Sequence, residues 1–272
     1  MTSTSESTQR SRPVSTAAVV THGRRDVHEA VDRVRAVASA AGVAIVEDLR
    51  AAELVVALGG DGTILRTLAQ LLGSGVPVLG VNFGRVGFLA SIGPDDLERD
   101  LARAFAGELV TVELPTIEAR LSGERHVAVN DIVTTSSTLG RMIELAWAVG
   151  GEDLGTVPCD GMICSTPSGS TAYNLSNGGP VLVRGLDAMA ITFIAPHSLD
   201  ARPLVVPRGA ELTVRNATPD VGAAVLTDGH QSGDLAPART LSIRLGEQRS
   251  LLATLPETTF FGRYRETFTS HD

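Results

Sequence analysis

The stretch Leu54–Val55–Val56–Ala57–Leu58–Gly59–Gly60–Asp61–Gly62–Thr63 constrains this chain most tightly. An apolar run of strand character ends in two glycines. One carboxylate and a third glycine follow, and the spacing of Ile64–Leu72 then reads as a helix. Asp61 is therefore expected in a tight turn between a buried strand and a helix N-terminus. Glycines there let another molecule approach the backbone closely, and the amides that open a helix attract phosphate. Asp61 has two readings. It either caps the helix, or it accepts a proton from an attacking hydroxyl or helps hold Mg²⁺.

Strands and helices alternate around this turn. Thr16–Thr21, Val43–Val46, Leu54–Leu58 and Val76–Val81 read as strands, and Asp26–Ala41, Ile64–Leu72 and Pro94–Ala106 as helices. In the first helix Val27, Ala30, Val31, Val34, Val37 and Ala38 share one face. Continuous β-branched strands alternating with helices indicate a parallel sheet covered on both faces, with its ligand crevice at the carboxyl ends of the strands. Asp61 and Asn82 both fall at such ends. Past residue 110 the segments become short and alternating: Glu118–Leu121, His126–Thr134, Ile143–Val149, Gly161–Ser165, Ala190–Ala195, Glu211–Arg215, Ala223–Thr227 and Thr240–Leu245. They predict a β-rich second domain whose one helix is Ser170–Asn177. Pattern alone does not place the aromatic, basic segment Phe260–Phe268. Met1–Ser15, rich in Ser and Thr with no apolar core, reads as a disordered tail rather than a secretory signal.

Composition narrows the chemistry. All 23 basic residues are arginine. The phosphate loop G-x-x-x-x-G-K-[ST] needs its lysine, so any ATP site here is of another type. A net charge of −8 argues against a general nucleic-acid binder and leaves room for a nucleotide ligand. No apolar run approaches membrane-span length. Cys159 and Cys164 lack metal-clip spacing and are expected as free buried thiols in a reducing, cytoplasmic compartment. No zinc-spaced cluster occurs, and no metal-ligating set is assigned.

A second motif runs from Cys159–Asp160–Gly161 through Ser165–Thr166–Pro167–Ser168–Gly169–Ser170–Thr171–Ala172–Tyr173 to Gly178–Gly179–Pro180. A strand enters a small-residue turn and then a helix start carrying hydroxyls. Thr171 and the first amides can bind polar groups, and Tyr173 can offer an aromatic face to a base. As pure structure the same stretch is an ordinary Ser/Thr-rich loop. Taken with Gly59–Thr63 and Leu65, Asn82-x-Gly84-x-x-Gly87–Phe88–Leu89, Asn130–Asp131, Pro196–Leu199 with Arg202–Pro203, and Asp228–Gly229, the ordered set resembles the NAD kinase family over roughly residues 17–262.

The resemblance implies transfer of the ATP γ-phosphate to the 2′-hydroxyl of the adenosine ribose of NAD, giving NADP. ATP and NAD are then substrates, with Mg²⁺ or another divalent cation accompanying ATP. It implies a Rossmann-like α/β domain over 16–110, a β-sandwich-like dinucleotide-binding domain over 111–246, and a segment 247–272 returning to the first. It implies a homodimer or homotetramer, in some members with the dinucleotide site completed by a neighbouring subunit, and no nucleic-acid or membrane partner. Asp61 matches the catalytic carboxylate. Gly59, Gly60, Gly62, Thr63, Arg66 and Asn82 match positions around the nucleotides. Asn130 and Asp131 match an Asn-Glu pair that holds ribose and adenine groups. Arg141, Asp160, Thr171, Ala172, Tyr173 and Ser176 match further dinucleotide contacts, and Ala195 a position on the adenine side. The chain departs from the family pattern in three places: Asp131 is one methylene shorter than Glu, Ser168 replaces Thr, and His230 follows Asp-Gly where Gln is usual.

Other residues have plainer readings. Asn130–Asp131 taken alone is equally a turn pair. His197 reads as structural and Trp147 as core. His22, Arg85 and Arg202 are candidate phosphate neighbours. Two other function classes fit parts of the sequence: a lipid or sugar kinase sharing Gly-Gly-Asp-Gly, and a non-catalytic dinucleotide-binding regulator. The Asp160–Tyr173 motif argues against the first and Asp61 against the second.

Overall fold

The structure is a computed structural model and describes residues 12–21, 27–83 and 87–269. Residues 1–11 of the expected tail, the turn carrying His22, and Gly84 with Arg85 lie outside the described residues. Of the rest of that tail, the Val14 N–H donates to the Phe105 carbonyl at 2.9 Å and the Ser15 N–H to Glu53 at 2.8 Å. The contacts divide the chain into two compact units, Met1–Glu113 with Arg249–Asp272, and Leu114–Gln248.

In the first unit strands β1 (Thr16–Thr21), β2 (Ala44–Ile45), β3 (Leu54–Leu58) and β4 (Val78–Val81) pair in parallel in the order β2-β1-β3-β4. All five residues of β3 and all four of β4 are buried, as a sheet covered on both faces requires. Helices α1 (Val27–Ala40) and α3 (Leu97–Phe105) bury Val34, Ala38, Leu97, Leu101 and Phe105 against Leu54, Val56, Leu79 and Val81. Helix α2 (Asp61–Gln70) covers the other face, where a Cβ on Gly80 would overlap Ile64. Two helix starts differ from expectation. The α2 helix opens at Asp61 rather than Ile64, because Gly60 is its N-cap in an extended conformation (φ −79°, ψ 179°). Pro94–Asp96 precede α3 instead of forming its first turn.

The second unit is two β-layers over one core. One layer has the antiparallel order β12-β11-β10-β7-β14-β15, from β12 (Leu204–Pro207), β11 (Ala188–Ile194), β10 (Gly161–Ser165), β7 (Asp131–Ser136), β14 (Ala223–Thr227) and β15 (His230–Leu235). The other contains β5 (Val110–Leu121), β6 (Glu124–Ala128), β8 (Ile143–Val149), β9 (Glu152–Cys159), β13 (Leu212–Asn216) and β16 (Thr240–Thr254). Ile117, Ile143, Leu145, Val214 and Ile243 of the second layer meet Ile132, Met162, Met189, Phe193 and Val225 of the first. Trp147 packs on that core with its ring edge-on to Phe193 at 5.4 Å. Cys159 and Cys164 are free and buried, and burial pushes the Cys159 thiol up to about 12.

The expected strand His126–Thr134 is two strands, broken at Val129–Asn130. The expected helix Ser170–Asn177 is a 3-10 turn, Gly169–Thr171, followed by the single-turn helix α4 (Tyr173–Ser176). Near its end β16 pairs in parallel with β4 (Leu252↔Val78, Ala253↔Leu79), and α5 (Phe260–Phe268) belongs to the first unit. Among the described residues no helix is long and apolar enough to cross a membrane.

Candidate active site

The strand β3 ends at Leu58, and the Gly59 N–H donates to the Val81 carbonyl at 2.9 Å, tying the turn to the carboxyl end of β4. Gly59 has φ +154°, and a Cβ there would lie 2.6 Å from the Thr63 hydroxyl. Glycine is thus required by the packing of buried Thr63 on the turn. Gly60 and Gly62 differ: an added Cβ would meet nothing within 4 Å. Among the described residues nothing demands glycine at those two exposed positions.

Asp61 is half-buried at the first position of α2. Its carboxylate accepts from the Phe88 N–H at 2.8 Å and the Leu89 N–H at 3.2 Å. A Cβ on Gly87 would overlap its carboxyl carbon and both oxygens, so glycine is what lets the strand-to-loop backbone lie against this carboxylate. The Gly60 N-cap leaves the side chain of Asp61 free of a capping role: no side-chain cap closes α2. That removes the capping alternative. Asn82 is buried at the end of β4, where its N–H donates to the Ile92 carbonyl at 2.9 Å, and Arg66 is exposed one turn along α2.

In the second unit Asn130 and Asp131 stand where β7 begins, against the Ser165–Thr171 loop. The Thr166 N–H donates to the Asn130 carbonyl at 2.8 Å and the Thr166 hydroxyl to the Val129 carbonyl at 2.7 Å. A Cβ on Gly169 would overlap the Asn130 backbone, so the loop and the pair are in direct contact. Asn130 Oδ1 is buried with no partner among the described residues. Asn174, fully buried, donates to the Ser170 and Pro180 carbonyls at 3.2 and 3.0 Å and accepts from the Thr192 hydroxyl at 2.7 Å. It locks the short helix that presents Thr171, exposed Ala172, Tyr173 (46% exposed) and Ser176.

Asp228 is the group that sequence reasoning left without a role. It has φ +47°, and its carboxylate accepts three successive amides, from Val129 (2.8 Å), Asn130 (2.7 Å) and Asp131 (3.2 Å). Its own N–H returns to the Asp131 carbonyl at 3.0 Å. This reciprocal clamp fixes the Asn130–Asp131 turn. Burial raises the Asp228 carboxyl and the three amides work against that rise, with His230 adding a smaller opposing effect. Burial also pushes Asp131 up to about 7, and the Asp228 charge adds to it. His230 is exposed, with Nδ1 at 3.1 Å from the Asp228 carbonyl.

The remaining expected residues are not brought to this cluster. In the register of β10, Asp131 faces Ser165 and Thr135 faces Gly161. Asp160 and Ala195 therefore lie at the opposite end of the six-stranded layer, Asp160 level with Ser136, five residue steps and roughly 16 Å away at ~3.3 Å per residue. Asp160 is exposed, its carbonyl accepting from the Thr135 hydroxyl at 3.0 Å. Ala195 holds φ +42°, a strained value for a residue with a Cβ. Arg141 pairs with Asp220 at 2.9 Å on the surface. Arg202 donates to the Leu199 and Ala201 carbonyls and His197 is exposed, so neither is assembled into a catalytic group.

Residues 4–109 match the family model for the ATP-NAD kinase N-terminal domain, and residues 129–255 that for the ATP-NAD kinase C-terminal domain. The NAD kinase of Heliobacterium modesticaldum is 40% identical over 223 residues, covering 80% of this chain and 79% of that protein. The chain belongs to the NAD kinase family. The NAD kinase of Leifsonia xyli subsp. xyli is 38% identical over 80% of this chain and 73% of its own length. The crystal structure of an NAD kinase from Archaeoglobus fulgidus in complex with ATP superposes with a TM-score of 0.77 at 27% identity, over 93% of this chain and 97% of that one. Yeast NADH kinase complexed with NADH shares the fold, with a TM-score of 0.81 at 21% identity over 96% of this chain and 90% of its own. The two-domain α/β and β-sandwich architecture is therefore the NAD kinase fold.

The buried Asp131 carboxyl has a pH signature. A carboxyl whose folded pKa exceeds its unfolded value binds its proton more tightly in the native state. Its contribution to stability is fully present below the unfolded value of 3.8 and is lost as pH rises to about 7. In Asp131→Asn the side chain is neutral throughout. Urea unfolding at about pH 4 and about pH 8 is expected to show the variant gaining a few kcal/mol on wild type across that window, because each pH step between the two values is worth about 1.4 kcal/mol. A pH-independent difference contradicts this account.

Proposed function

We propose that this chain is an ATP-dependent NAD kinase that forms NADP and ADP, the step that supplies NADP biosynthesis. The observation that carries this reading is the Asp61 carboxylate at the start of α2, beside two exposed glycines that no contact among the described residues requires. Such glycines suit a polyphosphate lying against the backbone, and a helix N-terminus favours its charge. A secondary hydroxyl is a weak nucleophile at neutral pH. Asp61 takes the proton of the ribose 2′-hydroxyl as the new O–P bond forms and the bond to the ADP leaving group breaks. Most of the rate enhancement comes from positioning and charge neutralisation.

Dinucleotide binding falls to Asn130, Asp131 and Thr171–Ser176. Orphaned Asn130 Oδ1 supplies an acceptor, and Tyr173 an exposed ring for stacking. Asp131 near neutrality can donate or accept a hydrogen bond to a ribose hydroxyl. Among the described residues no group of three or more His, Cys, Asp or Glu could hold a metal ion. Mg²⁺ arriving on the ATP phosphates would need only one or two protein carboxylates beside phosphate oxygens, and Asp61 is the carboxylate at this turn. When bound it neutralises charge on the β- and γ-phosphates. The free buried thiols suit a reducing cytoplasm.

Asp160 and Ala195 lie at the far end of the layer that carries Asn130. That placement favours a homo-oligomer in which these two residues serve the dinucleotide of a neighbouring copy.

Purified protein with ATP, Mg²⁺ and NAD, coupled to an NADP-specific dehydrogenase, is expected to turn over. Asp61→Asn should bind NAD normally and lose roughly 10²–10⁴-fold in kcat. Unchanged turnover in that variant would remove Asp61 from the reaction, and no NADP with NAD bound would favour the regulator. For the shared site, Asn130→Ala and Asp160→Ala are each expected to be impaired, and mixing them with subunit exchange should restore part of the activity. No recovery means that each copy works alone.

A further inference from the structure

The two amides that hold Asp61 belong to a segment with no β-ladder of its own. Beyond it, Ser91 and Ile92 donate to the Gly80 carbonyl at 3.0 and 3.3 Å, which fixes the segment's far end to β4. The near end is held by side chains. The Phe88 ring lies 6.2 Å from Phe260 and 5.6 Å from Phe268, both on α5. Tyr264 stacks edge-on to Phe268 at 5.0 Å and lies 6.5 Å from Phe260, so the two rings that meet Phe88 are bridged by a third on the same helix. From the same helix, Arg263 donates to the Ser91 carbonyl at 3.2 Å. The helix itself is started by Thr259, whose hydroxyl accepts from the Gly262 N–H at 3.0 Å. Rings and guanidinium thus grip Phe88 and Ser91, two points that flank the Leu89 amide.

We propose that α5 is a positioning element for the reaction: through Phe260, Phe268 and Arg263 it fixes the Phe88–Leu89 amides, and through them the orientation of the Asp61 carboxylate. The proposal rests on the reading of Asp61 as the proton acceptor. None of the α5 residues touches the reacting atoms. Their effect is on geometry, and displacement of a catalytic group by about an ångström can cost up to ~100-fold in rate. The ring contacts give a use to an aromatic cluster in a chain in which aromatic residues are only 4% of the total. Their ordinary role as apolar filler predicts a loss of stability alone, which separates the two accounts.

The test is a double-mutant cycle between Phe268→Ala and Asp61→Asn, read as kcat and KM for NAD and ATP well below the melting temperature. Phe268→Ala is expected to lower kcat roughly tenfold to a hundredfold with both KM values within about twofold, and to speed hydrogen exchange at the Phe88 and Leu89 amides. In the Asp61→Asn background the same change is expected to cost nothing further, because the group it orients is gone. Arg263→Gln, which keeps the aromatic face, is expected to behave in the same way, and it carries the test if Phe268→Ala does not fold. Phe268→Leu should recover part of the rate. Wild-type kcat in a folded Phe268→Ala or Arg263→Gln variant overturns the proposal, as does an equal loss in both backgrounds. Those results leave the function standing provided Asp61→Asn is inactive. Full turnover in Asp61→Asn overturns the site reading and the proposal together.

Discussion

The contact on which the turn at the end of β3 depends is the pair of amide hydrogen bonds from Phe88 and Leu89 to the Asp61 carboxylate. A carboxylate at the first position of a helix already sits in a favourable field. Two further donors give each oxygen a fixed partner and leave lone pairs on both. The arrangement needs Gly59 so that Thr63 can close the turn, and Gly87 so that the backbone can lie on the carboxyl group. It also needs a rigid floor, which β3 and β4 supply as wholly buried strands. The structure thus uses its most regular part to hold its least regular one.

The second unit solves a similar problem with buried charge. Asp228 gathers three successive amides and so shapes the turn at Asn130–Asp131, at the cost of burying one carboxylate beside another. The neighbouring charge and burial together keep Asp131 near its proton at neutral pH. The backbone at Asp131 is held from both sides of that clamp, its N–H by the Asp228 carboxylate and its carbonyl by the Asp228 N–H.

Much of this was legible in the sequence where side-chain period and punctuation carry the signal. The alternation of apolar strands and amphipathic helices located the parallel sheet, and Gly-Gly-Asp-Gly located its working turn. The strands β9 and β15 were not legible because their residues are largely polar or exposed, without an apolar alternation to read, and β12 is a run of only four residues, Leu-Val-Val-Pro. The helix start at Asp61 was missed because an extended glycine, not a capping side chain, begins it. The main anchors of the site are backbone amides, which no side-chain motif announces. The Asp228 clamp joins residues 97 to 99 positions apart, and the Phe88 contacts join the middle of the chain to its end. Phe88, Leu89 and Asp228–Gly229 were visible as motif letters, but their roles became apparent only once the chain was folded.

On the reading proposed for this site, the Asp61 carboxylate works because the backbone of residues 87–89 holds it. The most direct measurement is the turnover of Gly87→Ala, whose new methyl group would occupy the space of that carboxylate. The expected result is a folded protein that binds NAD with kcat reduced by roughly a hundredfold, as for a displaced catalytic group. A folded Gly87→Ala protein turning over at the wild-type rate would contradict it.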